Sequence, residues 1–566
     1  MGQRILFRCD GGKVPEIGTG HVRRCLLLAD YLRRKDDAIA NFLMRDYPGG
    51  GDLVRTAGFR VDTFPITMNE SEALKQTLAL FKPDLCVFDV LNTEESVLSA
   101  CHQHNAVVVC LDDLGAGLEH SDIVINAILE SPSAYYWGPE YVVLPEFSSV
   151  IPRRSKDDGI ELFVSCGGYD HRGLARRVLE AVSGVPNISR ITVVGGDPAL
   201  KDFRQSPKDV KCETRIYDSV SNLAEIISTA DVAVVSGGLT FFEAMRSGVP
   251  SIVVPQYDHQ FQTALRYEQL GVTISLGFPQ EGFESKLKDA LNLLLTHPNV
   301  REGMTKKGRR LVDGKGIRRV ADIISICRLR EWDTAFFDTK IASLNVSRLT
   351  EPIVAYALRM CEDWQVNCLY YLADCHHPPS VRLAEKNGFH FADIRLTFEY
   401  DLESQACSKE IEEGTAEIRS VVPADVPHLR EIAGNSYKHS RYYFDERFPR
   451  EKCRDFYAGW IEKSSYGYAD QVLVAEVEAR PAGYVTCCLR SASLGAIELI
   501  GVDDAMKGKG LGKLLVRSAL DWFKDQGAEV VEVVTQGRNY DAQRLYQRCG
   551  FITKMVQLWY HKWFDR

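Results

Sequence analysis

The stretch IGTGHVRRC, Ile17–Cys25, sets a histidine behind two glycines at the start of an apolar helical pattern. Gly18 and Gly20 let the backbone turn sharply and approach a ligand, and His21 stands at or near the helix start. An imidazole titrates close to neutrality and suits a general base acting on water. Taken alone, the spacing favours a capping or packing role for His21 over a catalytic one.

A second glycine turn lies in SGGLTFFEAMRSGVPSIVV. Strand Val232–Ser236 runs into Gly237 and Gly238, and a helix is predicted to begin near Thr240, so bare amides and the helix dipole can hold a phosphate. Glu243, one turn in, is placed either to take two ribose hydroxyls or simply to favour the helix N-terminus. A third motif, KGKGLG at Lys507–Gly512, separates a strand from a long helix. Its glycines leave successive amides bare, which suits a pyrophosphate. A Rossmann dinucleotide site would need an acidic residue ending a second strand about 20 residues on; Glu532 lies inside VVEVV instead. Asn539, Ala542 and Tyr546 then recur at helical spacing before Gly550, and an amphipathic helix with a half-buried tyrosine would account for them. Cys361, Cys368 and Cys375 stand beside His376 and His377, where a zinc site is conceivable. Pro378, Pro379 and the strand context favour structural roles by about four to one.

These motifs need rigid elements to hold them. Residues 1–330 alternate short apolar strands with helical patterns, an α/β reading with parallel sheets. The candidate strands are Ile5–Phe7, Leu85–Asp89, Ala106–Leu111 and Ile123–Asn126, then Leu162–Ser165, Ile191–Val194, Val232–Ser236 and Ser251–Val254. The polar stretch Pro145–Gly159 fits a linker between domains 1–150 and 151–330. Two open sheets facing across a cleft would hold ligands at the carboxyl ends of their strands. Beyond Arg330 the character changes: 331–405 mixes strand and helix signals, Glu403–Ala416 reads as a hinge, and 415–566 reads as a compact α/β unit. AEKNGFHF and YQRCGFIT each join a helix end, a glycine turn and a strand, which suggests a degenerate internal duplication.

Composition sets the limits. The chain has 566 residues, 45% hydrophobic and 26% charged, which is globular. A formal charge of −9 argues against a broad nucleic-acid footprint. The opening MGQRILFRCDGG reads as a buried strand and not as a signal peptide, and no apolar run reaches the roughly 18 residues of a membrane span. The 16 cysteines include no CxxC pair, as expected of reduced core thiols in a cytoplasmic protein.

In order along residues 4–325, the chain carries RCD, IGTGHVRRCLLLA, FDV (Phe88–Val90), LDDL (Leu111–Leu114), DIVIN (Asp122–Asn126), SCGGYD (Ser165–Asp170), SGGLTFFEA and DGKG (Asp313–Gly316). This set resembles the UDP-2,4-diacetamido-2,4,6-trideoxy-β-L-altropyranose hydrolases of pseudaminic acid biosynthesis, relatives of the two-domain GT-B glycosyltransferases. The resemblance implies that His21 is catalytic, that water attacks the anomeric carbon and that UDP leaves. It implies a UDP-sugar site of Asp10, Gly20, Gly237, Gly238, Thr240, Glu243 and Gln260, with Arg8 and Asp89 at the same strand ends. GKVPE, between Asp10 and Ile17, departs from the family pattern like an insertion.

The KGKGLG loop and TQGRNYDAQRLYQRCGF, with EWDTAFFD (Glu331–Asp338) and HSRYYFDERFP (His439–Pro449), resemble the GNAT N-acetyltransferases. The subtype is similar to dTDP-fucosamine acetyltransferase. The resemblance implies acetyl-CoA as cosubstrate, its pyrophosphate on Gly508, Gly510 and Gly512, its arm on Asn539, and Tyr546 protonating the thiolate. A backbone amide near Val502 would polarise the thioester carbonyl. Tyr437, His439 and Arg441 would meet the amino sugar, and Glu498, through water, is one of several candidate bases. The expected architecture is α/β: two Rossmann-like, GT-B-like domains, a degenerate GNAT-like unit and a GNAT domain. The expected function is bifunctional: acetylation of a UDP-4-amino-4,6-dideoxy sugar, then hydrolysis to free sugar and UDP. No metal, nucleic-acid or membrane partner is expected, and the oligomeric state stays open. The alternatives are a glycosyltransferase fused to an acetyltransferase, and a non-catalytic sensor of both ligands.

Overall fold

The computed structural model describes residues 2–12, 14, 17–128, 134–146, 159–167, 170, 172–182, 185–195, 212–218, 220, 222–403, 416–491 and 493–565. They divide into two compact units, Met1–Ser325 and Ile326–Arg566. Most of the expected linker, of the expected hinge and of the GKVPE segment, with Gly168 and Tyr169 of SCGGYD, lies outside the described residues.

The first unit holds two Rossmann-like parallel sheets. In the first, the strands lie in the order Arg60–Phe64, Ile39–Arg45, Arg4–Cys9, Leu85–Asp89, Val107–Leu111, Ile123–Asn126 and Tyr136–Trp137. Leu85–Asp89 and Val107–Leu111 are buried along their whole length, because helices cover both faces of a parallel sheet. Chain order reverses between Arg4–Cys9 and Leu85–Asp89, whose register sets Cys9 opposite Asp89. A crevice opens at the carboxyl ends of strands at such a reversal. The second sheet runs Glu213–Tyr217, Ile188–Val194, Ile160–Ser165, Val232–Val235, Ser251–Val253 and Thr273–Ser275. It reverses between Ile160–Ser165 and Val232–Val235, beside the Gly237-Gly238 turn.

The second unit is built on one ten-stranded sheet, to which both 331–405 and 415–566 contribute. Its order is Cys327–Leu329, Ile341–Leu344, Cys368–Asp374, Ile552–Trp563, His390–Asp401, Val530–Gln536, Leu494–Val502, Arg480–Leu489, Gln471–Val477 and Ala416–Ser420. The middle is pseudo-symmetric. Ile341–Leu344 and Cys368–Asp374 are parallel and joined through helix Glu351–Asp363; Leu494–Val502 and Val530–Gln536 are parallel and joined through helix Leu511–Asp525. Each pair continues into a short helix and a long strand: Pro378–Lys386 into His390–Asp401, and Tyr540–Arg548 into Ile552–Trp563. The long strands pair with each other, and each also crosses to the other repeat's parallel pair. AEKNGFHF and YQRCGFIT occupy equivalent places in this exchange, but Ala384 stands where the second repeat has Tyr546.

Candidate functional site

Helix Gly20–Asp36 begins one residue after Thr19 and carries His21 and Arg24 on one face, three residues apart. Both reach Asp89 at the end of the neighbouring strand. His21 Nδ1 lies 2.6 Å from Asp89 Oδ1, and Arg24 Nε donates to Asp89 Oδ2 at 2.7 Å. Arg24 also pairs with Asp112, whose other oxygen accepts from the backbone N–H of Ile128 at 2.8 Å. Asp89 is fully buried. Burial alone would raise its carboxyl, but Arg24 and His21 outweigh that and hold it well below the usual carboxylate range. A carboxylate held ionised can only accept, so the His21 proton belongs on Nδ1 and Nε2 is left as the acceptor. The His21 side chain is 25% exposed and lines the cleft, so solvent can reach it.

Asp10 belongs to the cleft floor in a different way. Its oxygens accept from Arg8 Nη2 at 2.8 Å and from the backbone N–H of Arg45 at 2.7 Å, and Glu70 completes the cluster. Asp10 neutralises Arg8, a guanidinium 1% exposed, and holds the adjacent strands in place while still lining the cleft.

The same cleft, of about 1190 Å³, is lined by the second sheet's glycine turn. Helix Leu239–Ser247 starts one residue earlier than expected, with Gly238 as its cap, and Thr240 in its first turn. A Cβ on Gly237 would come within 2.9 Å of the Gln260 carbonyl, so only glycine lets the next helix pack this close. Gln260 Oε1 accepts from the Gln256 backbone N–H at 2.9 Å, which braces the turn. Glu243 is buried beneath it, and desolvation pushes its carboxyl up to about 7 against the pull of Arg23. His259 also lines the cleft; burial, then the nearby His21, lowers its basicity. Sequence reasoning missed His259 for want of any motif around it. It also missed Arg24, which its spacing from His21 could have flagged.

In the second unit, Leu494–Val502 and Val530–Gln536 pair from Leu494–Val530 to Ile497–Val533 and then splay. The opposite edge of Leu494–Val502 shifts register between Val485 and Cys487, and Val502 at its end pairs with Gly483. Tyr437 Oη donates to the Ile500 carbonyl at 3.0 Å inside the splay and lies 3.1 Å from Tyr484 Oη. Burial, then Tyr484 and Tyr546, raises the Tyr437 phenol. Tyr546 is 3% exposed, its ring packs near Phe398 and Phe551, and its hydroxyl makes no hydrogen bond among the described residues. Burial raises that phenol too, so it stays protonated.

Gly508 and Gly510 have φ of +78° and +82°, with nothing within 4 Å of an added Cβ; the conformation, and not crowding, requires glycine. Their open surroundings and the start of helix Leu511–Asp525 suit a pyrophosphate. Gly512 differs: a Cβ there would meet Leu545 Cδ2 at 3.2 Å, so it also lets two helices approach. Asn539 caps helix Tyr540–Arg548, its side chain accepting from the Ala542 N–H at 3.3 Å. Glu498 pairs with Arg490 while its Oε2 is buried without a hydrogen-bond partner among the described residues.

The expected sugar contacts diverge. His439 is exposed and makes no side-chain hydrogen bond among the described residues. Arg441 is packed among aromatic rings. Its guanidinium lies 4.0 Å from the Tyr370 ring centroid and 4.3 Å from that of Trp559, and it bonds His561 Nε2 at 2.7 Å and Tyr442 Oη at 2.7 Å. Desolvation pushes His561 down to about 4, so the neutral ring donates through Nδ1 to Asp445 and accepts from Arg441. Cys361 lies buried in helix Glu351–Asp363 and Cys368 in strand Cys368–Asp374, while His377 Nδ1 contacts Ser380 Oγ at 2.7 Å. Among the described residues no helix is long and apolar enough to cross a membrane.

Residues 161–320 match the Glycosyltransferase family 28 C-terminal domain, and 434–551 match the Acetyltransferase (GNAT) family. The spore coat polysaccharide biosynthesis protein SpsG of Bacillus subtilis is 28% identical over 331 residues, covering 56% of this chain and 96% of that one. The dTDP-fucosamine acetyltransferase of Escherichia coli is 28% identical over 140 residues, covering 24% of this chain and 59% of that one. The chain thus spans about three fifths of that acetyltransferase's length. A crystal structure of Acinetobacter baumannii MurG superposes with a TM-score of 0.45 at 14% identity, covering 57% of this chain and 99% of that one. The protein is a nucleotide-sugar glycosyltransferase-like unit of GT-B type fused to a GNAT domain, and the latter implies acetyl-CoA as cosubstrate.

Proposed function

We propose that the first unit hydrolyses a UDP-sugar and that the GNAT domain acetylates the amine of that sugar's precursor, a UDP-4-amino-4,6-dideoxy sugar of the pseudaminic acid type. The observation that carries the hydrolase reading is the His21–Asp89 pair in the cleft shared with the Gly237-Gly238 turn. His21 Nε2 takes a proton from water as the water oxygen bonds to the anomeric carbon. The bond from that carbon to the diphosphate oxygen breaks, and UDP leaves with the electron pair. The amides at Gly237 and Gly238 stabilise the charge that develops there. Thr240 and Glu243 take part in holding the nucleotide, and Gly20 leaves room beside the imidazole, with nothing within 4 Å of an added Cβ.

In the GNAT domain, Gly508, Gly510 and Gly512 would hold the acetyl-CoA pyrophosphate, and the group supplies an activated thioester when bound. Asn539 would lie beside its arm and the backbone near Val502 would orient the carbonyl. The sugar amine bonds to the carbonyl carbon as the C–S bond breaks, the amine proton passes through water to a base such as Glu498, and the protonated Tyr546 supplies a proton to the departing thiolate. Tyr437 and His439 border the acceptor side. Arg441, in the same segment, is packed among Tyr370, Tyr442 and Trp559.

Mass spectrometry of products from a panel of UDP-4-amino sugars with acetyl-CoA tests the reading. The expected products are CoA, then UDP and a free diacetamido sugar. Acetylated UDP-sugar that persists without UDP release would remove the hydrolase half. A second reading, favoured by the family 28 match, is glycosyl transfer to an acceptor; UDP release that requires an added alcohol or amine would select it.

A further inference from the structure

Four arginines line the cleft of the first unit, and three are committed to carboxylates. Arg8 and Arg45 both pair with Asp10 and Glu70. Arg24 pairs with Asp89 and Asp112. Arg23 is exposed, and among the described residues its guanidinium forms no ion pair and no hydrogen bond. The cleft also carries Glu146, Glu243 and Asp30, the last of which pairs with Arg33 and Arg34.

Arg23 follows His21 by two residues in the first turn of helix Gly20–Asp36. Two residues turn a helix by about 200°, so Arg23 points away from the Asp89 side that holds His21 and Arg24. It lines the same cleft as Gly237, Gly238 and Glu243. Its charge is felt at Glu243, where it opposes the effect of burial.

We infer that Arg23 is the cation that binds the diphosphate of the nucleotide sugar, closing from the first sheet onto a ligand held by the second sheet's glycine turn. The inference rests on the nucleotide-sugar reading above and gives a role to a residue that this reading leaves without one. A guanidinium offers parallel N–H donors that match phosphate oxygens in pairs. As the bond from the anomeric carbon to the diphosphate breaks, the electron pair stays on the diphosphate oxygen. A neighbouring guanidinium then lowers the need to protonate it. Arg23 can do this without first surrendering a carboxylate partner, which Arg8, Arg24 and Arg45 cannot.

Calorimetric titration of the full chain with UDP and with uridine tests the inference. Arg23→Ala is expected to weaken UDP at least tenfold and leave uridine within about twofold, because only UDP carries the diphosphate. Arg23→Lys, which keeps charge but not the fork, should fall between. Unchanged UDP affinity in Arg23→Ala, with the parent binding UDP, would overturn the inference alone. An equal loss for UDP and uridine would overturn it by showing a general distortion of the site. A parent chain that binds neither ligand would remove the nucleotide reading and the inference with it.

Discussion

Asp89 serves His21 and Arg24 at once: one oxygen stands 2.6 Å from the imidazole, the other 2.7 Å from the guanidinium, and none of the carboxylate is exposed. The group that fixes the imidazole is therefore also the counter-charge that lets Arg24 be buried. Loss of the ring and loss of its anchor have different consequences.

His21→Asn should reduce UDP release by on the order of 10²–10⁴ with little change in stability, because the side chain sits at the cleft edge. Asp89→Asn should lose activity and also roughly 3–5 kcal/mol of stability, since Arg24 keeps its charge without its main partner. UDP-release assays beside urea denaturation separate the two. Equal stability of both variants would contradict the shared role of Asp89.

Glu243 makes stability depend on pH. Its folded value of about 7 lies above the ordinary 4.5, so the folded chain binds the extra proton between them. That stabilisation is complete below the unfolded value and is lost as pH rises through the folded one. Glu243→Gln should flatten the dependence and exceed the parent at pH 8 by up to roughly 3 kcal/mol. Denaturation of both proteins at pH 5 and pH 8 gives the comparison; a parent–variant difference that does not move with pH would refute it.

Tyr546→Phe keeps the ring against Phe398 and Phe551 and removes a hydroxyl with no partner among the described residues. Thiol release from acetyl-CoA should fall by about 10²-fold or more, while UDP release from sugar already acetylated should hold. Parallel loss of both activities would count against separate sites.

Arg441→Ala should cost about 3 kcal/mol, by loss of its aromatic contacts and its bonds to His561 and Tyr442. His439→Ala, on an exposed loop, should stay within about 0.5 kcal/mol. Thermal denaturation distinguishes them, and equal effects would mean that Arg441 is not packed as described.

The first unit was legible where its strands are buried along their whole length, whereas Ile39–Arg45, an interior strand exposed at its start, was not foreseen. Leu85–Asp89 and Ile123–Asn126 match the expected bounds because buried parallel strands read as unbroken apolar runs. Arg60–Phe64 and Glu213–Tyr217 were not foreseen; they are edge strands whose burial is partial or alternates. The glycine turns were visible because local conformation dictates glycine. Asp112 as a partner of Arg24 was not, since 88 residues separate them and LDDL gives no hint of direction. Arg441 read from the sequence as either a ligand or a packing residue, and the rings around it come partly from segments too distant for local pattern to reveal. Nor could local pattern reveal the exchanged strands, whose pairing joins residues such as Asp393 and Trp559.

That exchange governs when the second unit can exist. Ile552–Trp563 fills the gap between Cys368–Asp374 and His390–Asp401, two strands made more than 150 residues earlier. During translation the earlier repeat must wait with an open sheet until this strand clears the ribosome. The first unit can be complete long before. An expression fragment starting near residue 416 would lack the strands on both sides of Ile552–Trp563, so workable fragments of the acetyltransferase begin near Ile326.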